Sequence, residues 1–479
     1  MKKKLCAIAL LFTLICSTVI LSSCGSVFVN MLGEETRAKY VYNKAMMSMY
    51  EKNFIISDVT QAYTTVFDGQ TTNTKVRYRA IDDYSDESRY KCSFVLLENT
   101  GDAFADYEYY YNGQTLYEKS GELLLKQDMT EEELGEYVSA NSSSTFANID
   151  FFRDMIMTCD KIENGIFTIK LAPADETVLK EIYAGMKDTL GSSYQYMMLE
   201  SFDGVYKVTE DYDMLSSSMT YVIKATDGTD TSYTLRSTVT YSFDSEGVTP
   251  PENSDKYIQT DGLLALAKAE AATNRFASAD SGKCKMDYKS RISQGFDYST
   301  SMKVNGDLIY YTDSDGKFIF DYNVKSSQDG LELPSSKISY DGEKLNVKSD
   351  SSTSEQTISE IEASQYVSSI LLSDVYIDKS EYKTVMLGKS DNEKNTVLCA
   401  SLDADYVTYM VSTVFGTDDF TVISIPESIK TFEFDEKGNI TRYTMKISFN
   451  YKYESEDYHL SIDYVLTNEG LDETVSTAM

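Results

Sequence analysis

The chain of 479 residues has no tryptophan, one histidine and five prolines. With His459 alone, Ser-His-Asp or Cys-His catalysis has one candidate base at most, and a histidine metal cluster has no second ligand. Without indole, the flat stacking surface common in sugar-binding modules is missing. So few prolines mark an ordered chain, not a proline-rich wall-spanning stalk. Positive charge is also short. There are 44 Lys and Arg against 76 Asp and Glu, a formal net charge of −32. Phosphate backbones and anionic head groups repel such a body, which excludes nucleic acid as a partner. After Leu21 no apolar run is long enough to span a membrane.

What is present begins with Met-Lys-Lys-Lys and an apolar run from Leu5 to Leu21 that ends in Leu21-Ser22-Ser23-Cys24-Gly25. A cationic start, an apolar stretch and small residues before a cysteine read as an export signal. The pattern resembles the bacterial lipoprotein signal, with Leu at −3, small residues at −2 and −1, and Cys at +1. The resemblance implies cleavage before Cys24, lipid on its thiol, acylation of the new amino terminus and anchorage to a membrane. Each buried CH₂ adds about 0.8 kcal/mol, so several chains hold far better than one. Residues 1–23 are then the signal and 24–35 a tether. The Tyr-rich, His-poor texture resembles lipoproteins of Gram-positive envelopes, which implies the outer face of the cytoplasmic membrane.

Four further cysteines, Cys92, Cys159, Cys284 and Cys399, lie far apart with no metal-type spacing. Each sits in an apolar or strand-like run and reads as a buried thiol, with Cys92–Cys159 and Cys284–Cys399 bridges left open. The 38 tyrosines suit half-exposed strands.

Thr36 to Tyr50 has no breaker and repeats apolar residues at helical spacing, Val41, Ala45 and Met49 with Tyr42 and Met46 beside them. Alternating strands follow from Ser57 to Lys126, with Asn112-Gly113 as a tight hairpin turn. Thr130 with Glu133 opens a helix. Asn148 to Met157 reads as a short apolar helix, Gly165 to Leu171 as a strand and Asp175 to Leu190 as a helix. Three strands end near Phe243. Thr249-Pro250-Pro251-Glu252-Asn253-Ser254 is the best linker in the chain. After it the order starts again: a helix from Gly262 to Phe276, strands, a helix from Ile358 to Leu372, two strands, a helix from Leu402 to Phe415 and closing strands. Phe420 to Ile425 and Lys430 to Phe434 read as separate strands.

Tyr-Asn-Gly-Gln-Thr-Leu-Tyr-Glu-Lys-Ser at Tyr111 to Ser120 returns as Tyr-Asp-Gly-Glu-Lys-Leu-Asn-Val-Lys-Ser at Tyr340 to Ser349, with Tyr, Gly, Leu, Lys and Ser at identical places. Gly191 and Gly416, then Tyr241 to Gly247 and Tyr464 to Gly470, recur at nearly the same separation. Tandem duplication follows, with domains 36–248 and 257–473, a linker 249–256 and a tail 474–479. The expected fold is α+β: two tandem copies of a strongly curved antiparallel sheet, a half-barrel, packed over helices. Signal, leading helix, curved sheet and interposed helices together resemble the LolA/LolB and LppX/LprG-type lipoprotein and lipid carriers, once per copy. That resemblance implies an apolar cavity between sheet and helices, able to take acyl chains, and a non-catalytic protein.

Chemical motifs are weak. Ser380-x-x-Lys383 and Ser390-Asp391-Asn392 imitate penicillin-recognising enzymes but stand too close together, and no Lys-Thr-Gly follows. Asp313-Ser314-Asp315-Gly316 opens like a calcium loop, yet position 12 is Val324, so a hairpin turn is expected. No catalytic residue, metal ligand or cofactor is expected. Methionine suits pockets for varied apolar ligands. The candidate cavity residues are therefore Met46, Met49, Phe152, Met155, Ile156 and Met186. The partner expected is a lipid or other amphiphile. A cell-envelope protein docked on Tyr-rich strands, over filled cores, is the other expectation.

Overall fold

The computed structural model describes residues 29–471, apart from 68, 87–88, 101–106, 122, 142–148, 161, 187–189, 191–196, 227–228, 246, 249, 278, 280, 296–297, 350–351, 373–380, 391–394, 416–419 and 454. Cys24, the signal, the tether up to residue 28 and the tail lie outside the described residues.

The first sheet contains β1 (Phe54–Phe67), β2 (Gln70–Asp83), β3 (Lys91–Asn99), β4 (Tyr107–Tyr111), β5 (Thr115–Ser120), β6 (Leu123–Asp128), β7 (Met155–Cys159), β8 (Ile166–Pro173), β9 (Met197–Thr209), β10 (Met214–Ala225), β11 (Ser232–Ser242) and β12 (Ile258–Gln259). The second contains β13 (Gly282–Gln294), β14 (Tyr298–Thr312), β15 (Phe318–Gln328), β16 (Leu331–Glu332), β17 (Ser336–Tyr340), β18 (Lys344–Ser349), β19 (Thr353–Thr357), β20 (Tyr382–Lys389), β21 (Thr396–Leu402), β22 (Phe420–Phe434), β23 (Ile440–Tyr453) and β24 (Glu456–Leu471). Helices α1 (Glu34–Glu51), α2 (Glu131–Asn141), α3 (Glu176–Gly185), α4 (Leu263–Ala277), α5 (Glu360–Leu372) and α6 (Ala404–Phe415) interrupt them.

The strand order is β12-β6-β5-β4-β3-β2-β1-β11-β10-β9-β8-β7 in one sheet and β19-β18-β17-β15-β14-β13-β24-β23-β22-β21-β20 in the other, with β16 beside β15. Strand for strand, apart from β12 and β16, the two orders are the same. All pairs are antiparallel except β12, which lies parallel to β6.

The expected α+β fold, a sheet packed over helices, is corrected by these elements. The chain is mostly β, with two large sheets of 12 strands each and few helices among the described residues. One source of the error is the segment Asn148 to Met157. The Asp150 carboxylate accepts from the backbone N–H groups of Phe152 and Arg153, which makes a turn. Met155, Met157 and Cys159 then point inward while Ile156 points out, so the period is two and the element is β7. The two strands expected at Phe420 to Ile425 and Lys430 to Phe434 are one, β22, which runs through Pro426. The pairing of β22 with β23 shifts register between Ser424 and Glu427, and the irregularity lets the strand continue past a residue that cannot donate.

The quoted repeat holds at the level of hydrogen bonds. Asn112 Oδ1 accepts from the backbone of Gln114 and Thr115, and Asp341 Oδ1 from that of Glu343 and Lys344. Gly113 and Gly342 supply φ of +93° and +90°. The buried Tyr111 hydroxyl donates to the Met129 carbonyl at 2.9 Å, and the Tyr340 hydroxyl to that of Ile358 at 3.3 Å. Directly after these carbonyls come capping boxes, Thr130 with Glu133 and Ser359 with Glu362. Each tyrosine thus ties a hairpin to the start of the helix that follows it. The closing anchor is out of step. Ser57 faces Tyr241 and Cys284 faces Asn468, so Tyr241 corresponds to Asn468 and not to Tyr464.

The chain between the sheets is not a loose tether. From β11 it must pass β1 to β6 to take the edge position of β12, seven strand spacings or roughly 34 Å along the sheet. Tyr257, 6% exposed, packs edge-on against Tyr117 on the way. Thr260 then bonds in both directions. Its N–H donates to the Lys126 carbonyl at 2.8 Å beside β6, and its hydroxyl to the Val385 carbonyl at 2.7 Å on β20. Asp261 Oδ1 accepts from Leu387 N–H, and Gln127 Oε1 from Leu263 N–H at the start of α4. The apolar face of α4, with Leu266, Ala269 and Phe276, joins Tyr111, Leu116, Leu125 and Tyr137 of the first sheet to one core with the second. The remaining core lies under α1 and α3 at the β7–β10 end of the first sheet.

Removing the Tyr111 hydroxyl leaves a buried carbonyl unpaired. Tyr111→Phe should therefore cost about 1 kcal/mol in urea unfolding, and Tyr340→Phe less, because its bond is longer.

Candidate functional site

The expected cavity residues are only partly brought together. Met155, Met186 and the neighbouring Met157 are buried in the core beneath α1 and α3, and Met46 and Met49 pack against it half-buried. Phe152 and Ile156 are exposed, at 37% and 53%. The Phe152 ring meets Tyr42 edge-on. Tyr42 also stacks on Phe151 and meets Tyr206. Side chains of the protein itself occupy this part of the first sheet's inner face.

Open space lies elsewhere. A cleft of about 510 Å³ sits at one end of the second sheet, lined by Ile292, Gln294, Tyr298, Phe420, Tyr451, Tyr453 and Tyr458. Its volume falls within the usual range for small-molecule sites. Strand register explains the convergence. Gln294 faces Tyr298 across the β13–β14 hairpin and Tyr458 on β24. Tyr458 faces Tyr451 on β23, and Tyr453 faces Phe420 on β22. The Tyr451 and Tyr458 rings stack with centroids 5.3 Å apart, and Phe420 meets Tyr451 edge-on at 6.2 Å. Burial, followed by the neighbouring Tyr458, pushes the Tyr451 phenol up from its ordinary value, so it stays neutral and able to donate. No lining side chain carries a formal charge at neutral pH.

Position by position, the first sheet has no such wall. The same registers place Thr65, Phe67, Gln70, Ala225 and Thr231 where the second sheet has Ile292, Gln294, Tyr298, Tyr451 and Tyr458. Sequence reading missed the cleft because its four tyrosines come from three strands, β14, β23 and β24, each an ordinary alternating strand. The legible signal was Tyr-Lys-Tyr-Glu-Ser-Glu-Asp-Tyr at Tyr451 to Tyr458, an aromatic hairpin whose partner strands could not be assigned.

Deeper on the same face is a second difference. One cross-strand row of the first sheet reads Met157, Leu171, Gly204, Met219, Ser237, Gln61, Val76. The matching row of the second reads Val385, Ala400, Lys430, Met445, Tyr464, Tyr288, Val304. Gly204 thus corresponds to Lys430. A Cβ on Gly204 would approach Met219 Sδ at 3.0 Å and Leu171 Cβ at 3.1 Å, so the first sheet closes over that point. Lys430 is 3% exposed, and its Nζ lies 2.8 Å from Glu381 Oε2 with the rings of Tyr382 and Tyr406 at 5.9 and 5.5 Å. A buried ammonium held by one carboxylate and two aromatic faces is internally neutralised.

The motifs set aside earlier have ordinary places. His459 Nδ1 pairs with Asn450 Oδ1 at 2.8 Å and Nε2 lies 3.4 Å from Ser448 Oγ, which makes it a satisfied strand histidine. Lys383 is on β20, while Ser380, Asp391 and Asn392 lie outside the described residues. Asp313 Oδ1 accepts from the backbone of Asp315 and Lys317, a hairpin turn. Among the described residues no cluster of three His, Cys, Asp or Glu side chains could hold a metal ion. No described helix is long and apolar enough to cross a membrane. Cys92, Cys159 and Cys284 are buried free thiols, and Cys399 is a half-buried one. Burial pushes the Cys92 and Cys284 thiols up to about 12 and Cys159 to about 11.

No family model matches the chain, and no curated protein does. Among solved structures, the chain is similar to a LolA superfamily protein from Nitrosomonas europaea at 11% identity. The match covers 46% of this chain and 97% of that one, with a TM-score of 0.16. It is also similar to a DUF1329 family protein from Desulfovibrio piger, at 11% identity over 44% and 95% of the two chains with a TM-score of 0.20.

Two outcomes follow from the site's chemistry. Lys430→Met leaves Glu381 buried without its cation and should destabilise by about 3–5 kcal/mol in thermal or urea unfolding, while Lys430→Met with Glu381→Leu should recover most of that loss. The thiols of Cys92, Cys159 and Cys284 should stay unreactive to a disulfide reagent at pH 8 until the protein is unfolded, because the thiolate is the reacting form.

Proposed function

We propose that this protein is a non-catalytic lipoprotein held on the outer face of a membrane through acylated Cys24, and that its second sheet binds an apolar or amphiphilic ligand in the aromatic cleft at its end. The observation that carries this reading is the cleft itself: about 510 Å³ walled by five aromatic rings and Ile292, with Gln294 and the tyrosine hydroxyls as its polar handles. Such a wall takes an acyl chain or a flat apolar body by area, and the few polar groups orient it.

Residues 36–248 and 257–473 are, in this reading, two copies of one domain joined by 249–256. The shared strand order and the paired Tyr111 and Tyr340 bonds support it. The copies have diverged. The first, with Met155, Met157 and Met186 packed under α1, acts as a filled support, and the second keeps the open end. The filled first core also favours a structural part for that half, toward the membrane or an envelope protein.

Native mass spectrometry on gently extracted protein should retain an adduct of lipid mass. Tyr451→Ala or Tyr458→Ala should weaken its retention on the order of tenfold, since each removes a stacked ring from the wall. Met155→Leu, in the filled core, should leave it unchanged. No adduct with any amphiphile offered would overturn the reading.

A further inference from the structure

Resting on that reading of the cleft, we infer that its ligand carries a positively charged ammonium group, so that the site selects cationic amphiphiles over neutral or anionic ones of the same chain length. The argument begins with what the register places on the cleft face. Side chains alternate along a strand, so Tyr451 and Tyr453 share a face on β23, and Tyr458 shares it with Glu456 on β24. Glu456 stands directly opposite Tyr453. Its exposed carboxylate therefore lies at the rim of the aromatic wall, on the inner side. Among the described residues it makes no ion pair.

No cation competes for it. Lys452 and Asp457 face each other across the same hairpin but point to the opposite face. On β13, Lys289 and Arg291 alternate away from the face that bears Ile292 and Gln294, and Arg291 Nε donates to Ser299 Oγ. Lys430, deeper in the same sheet, is already neutralised by Glu381. The five rings of Tyr298, Phe420, Tyr451, Tyr453 and Tyr458 line a space in which no lining side chain is a cation. That is the chemistry that holds an ammonium group, through cation–π attraction to several rings with one carboxylate nearby.

The whole molecule points the same way. A net charge of −32 attracts cationic ligands and repels fatty-acid carboxylates and anionic phospholipids before contact is made. The corresponding end of the first sheet has Gln70, Ala225 and Thr231 in place of Tyr298, Tyr451 and Tyr458.

The test is a displacement titration on the full chain with a neutral naphthylamine probe and three competitors of equal chain length: dodecyltrimethylammonium, dodecanol and dodecyl sulfate. Dodecyltrimethylammonium should displace the probe on the order of tenfold more tightly than dodecanol, and dodecyl sulfate should be the weakest. Glu456→Gln should remove a large part of the preference without changing the dodecanol value, and Tyr453→Leu should lower the ammonium affinity more than that of dodecanol. Equal affinities for the three, or tighter sulfate, would overturn the charge selectivity while leaving an amphiphile carrier standing. If neither the probe nor any competitor binds, both readings fall.

Discussion

The short stretch from Ile258 to Leu263 governs how the two sheets stand together. Two residues lie parallel to β6 at the edge of the first sheet. Thr260 and Asp261 then turn their side chains to β20, the edge of the second. A sheet edge presents unpaired N–H and C=O groups, and here two such edges are satisfied by one connector. Because the same stretch leads into α4, whose apolar face meets side chains of both sheets, one core spans the second sheet and part of the first, and a separate core remains at the β7–β10 end of the first. The bonds also hold β20 and its neighbour β21 in place, and β21 is the strand that pairs with the inner half of β22.

With one end of the second sheet fixed in this way, the other is left open. The strands β13, β14, β22, β23 and β24 are long, and at their far ends Tyr451 joins the core while Ile292, Phe420 and Tyr458 pack half-buried against it. There the inner face is finished with tyrosine. Tyrosine offers area for an apolar guest, a hydroxyl toward water and a π face for charge. The first sheet solves the same geometry differently. Methionines from β7 and the segment after α3 fill its inner face, and a glycine stands where the second sheet has buried Lys430. The two sheets share a strand order and differ at these matched positions.

Much of this was legible in the sequence, because the local chemistry was unambiguous. Asn112-Gly113 needed positive φ, Thr130 headed a capping box, and the recurrence of Tyr111 at Tyr340 marked two like hairpins. The failures have physical reasons. The run Met155-Ile156-Met157 has no period of its own, and only pairing with β8 makes it a strand. Pro426 breaks a strand by rule but not when a register shift accommodates it. The Tyr241–Tyr464 likeness was short and lay four positions from the true register. Helices were given too large a share because apolar runs were read as cover for the sheets. The aromatic cleft was illegible because its wall is made by cross-strand neighbours from five strands, and register is a property of the folded sheet.

The absence of tryptophan makes the central claim directly measurable. Tyr453→Trp would place the chain's single indole on the wall of the cleft, where a bound chain should reach it. Titration with an amphiphile brominated along its alkyl chain should quench that emission steeply and to saturation at sub-micellar concentration. Quenching that rises only linearly with concentration, or none at all, would contradict an occupied cleft and with it the account of this protein as a carrier.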